Sequence, residues 1–415
     1  MKRLLMIAYH FPPLAGSSGI QRTLRFVQHL PAFGWEPVVL TTNVGAYERT
    51  STDLDTEVPP GIVVGRAFAF DAARQLSVAG RYPGWLARPD RWMTWRFDGV
   101  RAGLHLIRRL RPAVIWSTYP IATAHVIGSS LARRSRLPWI ADFRDPMAQD
   151  GYPPDPKTWQ SFKYVEETAI RAARASVFTT PGAARMYRER YPDRASQIEV
   201  IENGYDEESF AGLQFDGAGR EPLSPGALTL LHSGIVYPSE RDPTALIEAV
   251  ALLIASGRIR RNTLRLRFRA AGHDALLADL ARTHGIADVV ELCPPIPYRD
   301  ALAEMVRADA LLVLQAANCN EQIPAKLYEY LGAGRPIVAL ADSAGDTALT
   351  LRAAGLDSIA PLDSASSIAA LLASVLSEIA AGKVRLPDPS FVAHVTRRSR
   401  AESLAALLAR VVATR

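Results

Sequence analysis

Residues 320–340 read NEQIPAKLYEYLGAGRPIVAL. Two carboxylates, Glu321 and Glu329, stand with seven residues between them. Pro324 suits a first helical turn, which needs no amide donor there. Ala325–Leu331 then forms the helix, Gly332 and Gly334 close it, and Pro336–Leu340 is a buried apolar strand. This places Glu321 in the loop facing the helix start and Glu329 about two turns in. Lys326 is the odd residue, since a cation in the first turn opposes the macrodipole. An anion bound at that end removes the conflict, as helix N-termini do for phosphates. Carboxylates, cation and helix start point to a ligand with hydroxyls and phosphates. The plainer alternative is a solvated Glu–Lys pair on a surface helix.

The chain has 415 residues, 48% hydrophobic and 22% charged, enough for two soluble domains with ordinary cores. The opening MKRLLMIAYHFPP imitates a signal peptide, but its apolar run stops at His10 and Pro12-Pro13, so it reads as a first strand. No window approaches the roughly 18–20 apolar residues that span a bilayer. Two cysteines, Cys293 and Cys319, make no disulfide framework and suggest a reducing, cytoplasmic setting. The formal charge of +6 is unevenly spread. Asp71–Arg111 holds nine arginines against three aspartates, an excess of six, together with Trp85, Trp92 and Trp95. Arginine interleaved with tryptophan suits an anionic membrane surface. The alternative is a solvated helical face whose tryptophans pack inward. No nucleic-acid motif accompanies the stretch.

From the N-terminus, strand Arg3–Ala8, the loop Gly16-Ser17-Ser18-Gly19, helix Ile20–Phe33 and strand Pro37–Thr41 form the opening of a Rossmann-like half. Without the G-x-G-x-x-G spacing, a nicotinamide cofactor is not expected. Strand Pro138–Ala141 is followed by Asp142-Phe143-Arg144-Asp145-Pro146. Charges at the carboxyl end of a buried parallel strand commonly face a ligand crevice. The alternative is an internal Asp–Arg pair that orders the loop. Residues 213–226, rich in Gly, Pro and charge, read as a linker. A second alternating series starts at Ala227, with strand Leu228–His232, Ser233-Gly234 and, later, strand Ala310–Gln315. A continuous amphipathic helix is expected over Phe391–Val412. Asp53 and Asp55 lie in a polar loop, and no metal site is expected there.

The string at 320–340 resembles the paired-glutamate signature of the retaining nucleotide-sugar glycosyltransferases of family 4, which have the GT-B fold. YHFPPLAGSSGIQRTLRFVQHL, including Arg22, is similar to that family's N-terminus, and Asn203-Gly204-Tyr205-Asp206 to its turn before the interdomain linker. The resemblance implies an α/β GT-B protein: two Rossmann-like domains facing an interdomain cleft, with the C-terminal helix returning to the first. It sets an acceptor domain at 1–212, the linker at 213–226, a nucleotide-sugar domain at 227–385 and the returning helix at 386–415.

By the same resemblance Glu329 takes the ribose hydroxyls and Glu321 the donor sugar, while Lys326 and Arg241 neutralise the diphosphate. Asp145 joins the catalytic group. Gly16, Ser17, Gly234, Gln322, Ile323 and Leu327 line the nucleotide sugar, and Arg22, Asp142 and Arg144 the acceptor. Two departures stand out. Ile235 replaces an arginine usual after the Gly234 position, and the Arg144-Asp145-Pro146 form replaces a histidine. For Arg241 an ion pair with Glu240 or Asp242 at the helix entry is nearly as good a reading, and His125 is too deep in its helix to replace the missing histidine. The implied activity is sugar transfer with retention, without metal or cofactor, from a nucleotide sugar to a lipid-linked or glycan acceptor in cell-surface glycan synthesis. The basic stretch adds a peripheral place on the inner face of the membrane. A sugar-nucleotide epimerase of the same fold, or an inactive sugar-nucleotide-binding scaffold, are the alternatives.

Overall fold

The computed structural model describes residues 1–16, 19–213 and 221–413. It divides into two compact units, Met1–Asn203 with Arg397–Arg415, and Gly204–Thr396. Each is built on a parallel sheet. In the first, β1 (Lys2–Ile7), β2 (Trp35–Thr42), β3 (Val63–Ala67), β4 (Val114–Thr118), β5 (Trp139–Arg144), β6 (Ala175–Phe178) and β7 (Ile198–Val200) lie in the order β3-β2-β1-β4-β5-β6-β7. The second holds β8 (Leu228–Ser233), β9 (Leu264–Arg269), β10 (Val290–Cys293), β11 (Ala310–Leu314), β12 (Ile337–Leu340) and β13 (Ile359–Ala360), ordered β10-β9-β8-β11-β12-β13. Strand order reverses beside β1 and beside β8. Ligands of open α/β sheets bind outside the carboxyl ends of the strands at such a reversal.

The continuous apolar runs follow from helices covering both faces of a parallel sheet. Alternate residues of one strand enter different cores. Leu5 and Ile7 pack with Val38, Leu40 and Ile115, whereas Leu4 and Met6 pack with Val39, Val114 and Trp116. In the second unit Leu312 and Leu314 face one core and Leu311 and Val313 the other.

Several element boundaries differ from expectation. The first helix, Gly19–His29, tightens into a 3-10 turn over Leu30–Phe33, because Pro31 cannot continue the ladder, and Gly34 caps it in the left-handed region. The C-terminal segment is two helices, Pro389–His394 and Arg397–Ala413. Between them the Val395 carbonyl accepts from Tyr205 N at 3.1 Å, and Thr396 bridges Tyr205, so this backbone is spent on a partner outside the helix. Gly204 is required there, since a Cβ would stand 2.7 Å from the Val395 carbonyl oxygen. Leu404, Leu407 and Leu408 of the last helix share a core with Leu24 and Val27 of the first helix. The contact division falls after Asn203 rather than at 212, and Pro389–His394 lies in the second unit. Of the expected linker, residues 214–220 lie outside the described residues.

Strand β5 runs on through Arg144, so Asp142 lies inside it rather than after it. A carboxylate tolerates this place only because Arg22 grips it bidentately, Nε to Oδ2 at 3.0 Å and Nη2 to Oδ1 at 2.8 Å, with both residues buried. Thr118 Oγ1 donates to Oδ2 at 2.8 Å. Arg22 also donates to the Ile201 and Glu202 carbonyls, at 3.0 and 3.1 Å. One pair thus ties the first helix, β4, β5 and the segment after β7. Removing one partner of such a pair costs about 3–5 kcal/mol. Asp142→Ala should lose that much stability in urea unfolding. The double change Arg22→Met/Asp142→Leu should recover only part, because Thr118 and the two carbonyls remain unpaired.

Candidate functional site

The second unit's candidate site forms where β8 ends. Gly234 follows the strand at φ +109°, a conformation that favours glycine, and its N–H donates to the Arg269 carbonyl at 2.8 Å. A Cβ there would stand 3.1 Å from Lys326 Nζ. That ammonium is held by His232, whose Nε2 lies 3.0 Å from Nζ. His232 Nδ1 lies 2.9 Å from the Leu312 carbonyl. A carbonyl only accepts, so Nδ1 carries the proton and Nε2 receives the lysine's N–H. Burial, and then Lys326, push His232 well below the ordinary histidine range, which keeps it neutral. Burial, and then the Arg241 guanidinium, push Lys326 well below the ordinary lysine value. Arg241 Nη1 donates to the Ile235 carbonyl at 2.7 Å and its guanidinium lies over the Tyr237 ring, which sets it by the same turn. Asp242 instead accepts from Thr244 N at the next helix entry.

The helix of the paired carboxylates is short, Lys326–Gly332. Leu327 N reaches back to the Pro324 carbonyl at 2.9 Å, a tight turn that leads into the helix proper at Lys326. Glu329 therefore lies in the first turn, not two turns in. Tyr298 hydroxyl donates to Glu329 Oε1 at 2.9 Å. Glu321 stands in the loop ahead of the helix, half-buried. The side chains of Ile323 and Leu327, expected at the nucleotide sugar, are buried in the apolar core, where they seat the helix start. Gln322 offers its backbone: its carbonyl accepts from Gln315 Nε2 at 2.8 Å. Gln315 also donates to Cys319 and accepts from Thr347 Oγ1. It fixes the glutamate loop from beneath, a role with no signal in the sequence. Beside it, a cavity of about 550 Å³ is lined by Asp242, Glu248, Asp342 and Asp363. Its charge suits no diphosphate, which leaves the Lys326–Arg241 side for an anion.

In the first unit the expected residues are brought to the carboxyl ends of β1 and β5. His10 Nδ1 and Arg144 Nη1 converge on the start of the first helix, 2.6 and 2.8 Å from where a Cβ on Gly19 would stand. Arg144 takes a left-handed backbone, φ +62°, and Nη1 reaches the Tyr119 carbonyl at 3.4 Å. Burial, and then Arg144, bring His10 down to about 3, so it is neutral. Burial raises Asp145 against the pull of Arg144. Arg22 and Asp142 bury each other, so they shape this region through the segments they tie rather than by an exposed face. Gly16 lies in the loop before the helix at φ +78°, and Ser17 is outside the described residues. His125 is interior, bonded to Ser117 at 2.8 Å. His10 and His232 are the residues that sequence reasoning missed. His10 had a visible signal, a polar residue just past the first strand. Among the described residues no three His, Cys, Asp or Glu side chains gather as a metal site.

A lysine must be protonated to hold a diphosphate. If Lys326 takes the nucleoside diphosphate expected from the sequence, affinity for it should be complete below the depressed value of Lys326 and fall as pH rises through it. His232→Leu removes an acceptor that favours the ammonium, so the fall should move to lower pH, and His232→Gln should restore part of it. Calorimetric titration with UDP across pH checks this, and unshifted profiles in both variants would reject it.

The glycosyl transferase 4-like domain matches residues 18–204. The D-inositol 3-phosphate glycosyltransferase of Nocardiopsis dassonvillei is 32% identical over 225 residues, 51% of this chain and 51% of that relative. The chain thus spans about half the length of the curated relatives it matches. Sucrose-phosphate synthase from Thermosynechococcus elongatus superposes with a TM-score of 0.68 at 14% identity, covering 100% of both chains. HepE of Anabaena, in complex with UDP-glucose, gives 0.61 at 14% identity, over 100% of this chain and 98% of that one. The two reversed parallel sheets and these similarities lead to one statement: the chain has the GT-B fold and carries a glycosyl transferase 4-like domain at residues 18–204.

Proposed function

We propose that the protein is a retaining glycosyltransferase, taking a sugar from a nucleotide-diphosphate sugar to a lipid-linked or polysaccharide-precursor acceptor in cell-surface glycan synthesis. The observation that carries this is the Lys326 amine, whose Nζ stands against Gly234 and 3.0 Å from His232 Nε2, with Arg241 beside it. Two cations at the end of β8, with Glu329 one turn along, suit a nucleoside diphosphate better than an uncharged ligand. HepE of Anabaena, a structural neighbour, is described with UDP-glucose, and the curated relatives as D-inositol 3-phosphate glycosyltransferases. The first supports a nucleotide-sugar donor and the second supports glycosyl transfer, and the second unit is the donor's place in this reading.

In the reaction, the bond from the sugar's anomeric carbon to the diphosphate oxygen breaks, and the acceptor oxygen bonds to that carbon from the same face. The acceptor proton passes to the departing phosphate oxygen. Lys326 and Arg241 neutralise the charge growing on the diphosphate, the term that usually dominates such catalysis. Glu329 receives the ribose hydroxyls, as a carboxylate can from two vicinal donors. Glu321 holds hydroxyls of the sugar. Asp145 and Arg144 belong to the acceptor side in the first unit. With two cations supplied by side chains, no metal is required. The working place is the cytoplasmic face of a membrane.

Losing a charged hydrogen-bond partner costs about 1.5–3 kcal/mol, one to two decades in affinity. Glu329→Ala should weaken UDP and UDP-sugars alike by that amount. Glu321→Ala should spare UDP and impair the sugar nucleotide and turnover. Equal losses in both variants would reject the division of roles. Transfer, followed by mass spectrometry of products with polyprenyl-linked acceptors, should persist in excess EDTA with the anomeric configuration kept. Release of free sugar without an acceptor would make the protein an epimerase or hydrolase instead. Loss in EDTA with rescue by magnesium would overturn the metal-free assignment.

A further inference from the structure

The excess arginine and tryptophan of residues 71–111 have two different fates. Trp95 is buried in the core and Trp92 Nε1 donates to the Ala46 carbonyl at 3.1 Å. Arg91 pairs with Glu48 at 2.6 Å and Asp71 at 3.5 Å, and Arg88 with Asp155 at 3.5 Å. Asp71 caps Ala73 N, and Asp90 accepts from Thr123 and Trp92. All of these groups are structural. They staple an arm that leaves the sheet after β3 and returns at Trp95, its two sides joined by Ala72 N to the Arg91 carbonyl at 2.8 Å and Phe70 N to Thr94 Oγ1 at 2.8 Å.

The head of that arm is different. Every residue from Val78 to Trp85, VAGRYPGW, is exposed. Val78 is 81% exposed, Trp85 69%, and at the base of the arm Phe97 is 68%. Soluble surfaces seldom gather large apolar side chains in one short window without a partner. The tip is a tight hairpin. Val78 and Arg81 exchange both backbone hydrogen bonds, at 2.8 and 3.0 Å, around Ala79 and Gly80, both with positive φ, as a type I′ turn requires. Its backbone can therefore leave water without orphaning those groups. No acidic residue occurs between Ala72 and Pro89, and the cation at the tip, Arg81, has no carboxylate partner among the described residues. Arg96, stacked over Phe97, is also without one.

We propose that the 78–85 hairpin is a membrane wedge: Val78, Tyr82 and Trp85 enter the headgroup boundary of an anionic leaflet, and Arg81 and Arg96 engage its lipid phosphates. Indole at headgroup depth and arginine at phosphate depth match the two chemistries of that boundary. An acidic protein partner would use Arg81 and Arg96 but has no use for three exposed apolar side chains around a turn. The wedge rests on the reading of a membrane-side acceptor and names how the protein reaches it.

The test uses the full chain with vesicles of phosphatidylcholine containing phosphatidylglycerol, and the same vesicles without it. Wild type should co-sediment with the anionic vesicles and be released by 1 M salt, where the Debye length falls to about 3 Å. Val78→Ser/Trp85→Ser should weaken partition at least tenfold, and Arg81→Glu about fivefold or more. Leu252→Ser, which removes an exposed apolar side chain of the second unit, should bind as wild type. Thermal melting of every variant by circular dichroism reports an intact fold, and UDP affinity reports the donor site separately. A chain that fails to bind UDP yet sediments with vesicles refutes the proposed donor and leaves the wedge standing. Wild type that ignores anionic vesicles, or hairpin variants that bind as well as it does, overturn the wedge. So does concentration-dependent self-association abolished by the same substitutions, which would make a second copy the occupant.

Discussion

A parallel strand covered by helices on both faces can expose chemistry only at its ends. That constraint decides where the candidate site residues of each unit gather. Along β1 and β11 neighbouring side chains belong to opposite apolar cores, so no position within the strand is spare for a ligand. The carboxyl ends are spare, and most of all beside the first strand of each sheet, where the order reverses and the flanking connections part. Tyr9 and His10 follow β1, Ser233 and Gly234 follow β8, and Gln315 follows β11. The glutamate loop and its short helix are delivered to the same edge by β11 and received by β12, whose registers match residue for residue over Leu311–Leu314.

Charges that enter the interior do so as closed sets. Glu166 shows the rule beside the Arg22–Asp142 pair. It is buried, and accepts from the Tyr187 hydroxyl, from Tyr191 at 2.6 Å, Ala148 N at 3.0 Å, Lys163 at 3.1 Å and Arg190 at 3.0 Å. The Tyr187 oxygen in turn accepts from Met147 N at 2.9 Å. Neither set adds much net stability over an apolar core of equal volume, since desolvation offsets the attraction. What they add is position. Both anchor the segment that carries Arg144 and Asp145: Asp142 from within β5, Glu166 by gripping residues 147 and 148 just beyond it. The segment is therefore held from two sides.

How much of this was legible follows from which interactions are local. The 320–340 string announced its helix and strand through proline, glycine and apolar runs, and those elements are present. Its helix proper starts at Lys326, after a tight turn that the Pro324 carbonyl opens by accepting from Leu327 N, a bond the sequence does not reveal. The break at Val395–Thr396 was invisible: its cause, Tyr205, is nearly two hundred residues away in sequence. Asp142 looked like a loop charge since nothing local reveals that Arg22 would neutralise it. Arg88 and Arg91 looked like surface cations for the same reason. The Asn203-Gly204 pair drew attention as a turn, and its real constraint is steric, a backbone passing within 2.7 Å of where a Cβ would be.

Of the two histidines that composition passed over, the one in the second unit carries a physical lesson. In the proposed reading, a cation that takes an anionic ligand must be kept from binding a carboxylate of its own protein, yet it still needs an acceptor to hold its geometry. An imidazole that stays neutral meets both demands, because it offers a lone pair and brings no negative charge to compete with the ligand. His232 does this for Lys326, its tautomer fixed by the Leu312 carbonyl. His10 stands beside Arg144 in the first unit, and burial together with that guanidinium keeps it uncharged. Were either ring to take a proton, it would add a second positive charge next to the first and lose its lone pair. Burial of His232, which looks like a packing detail, therefore leaves Lys326 with an acceptor that brings no negative charge of its own.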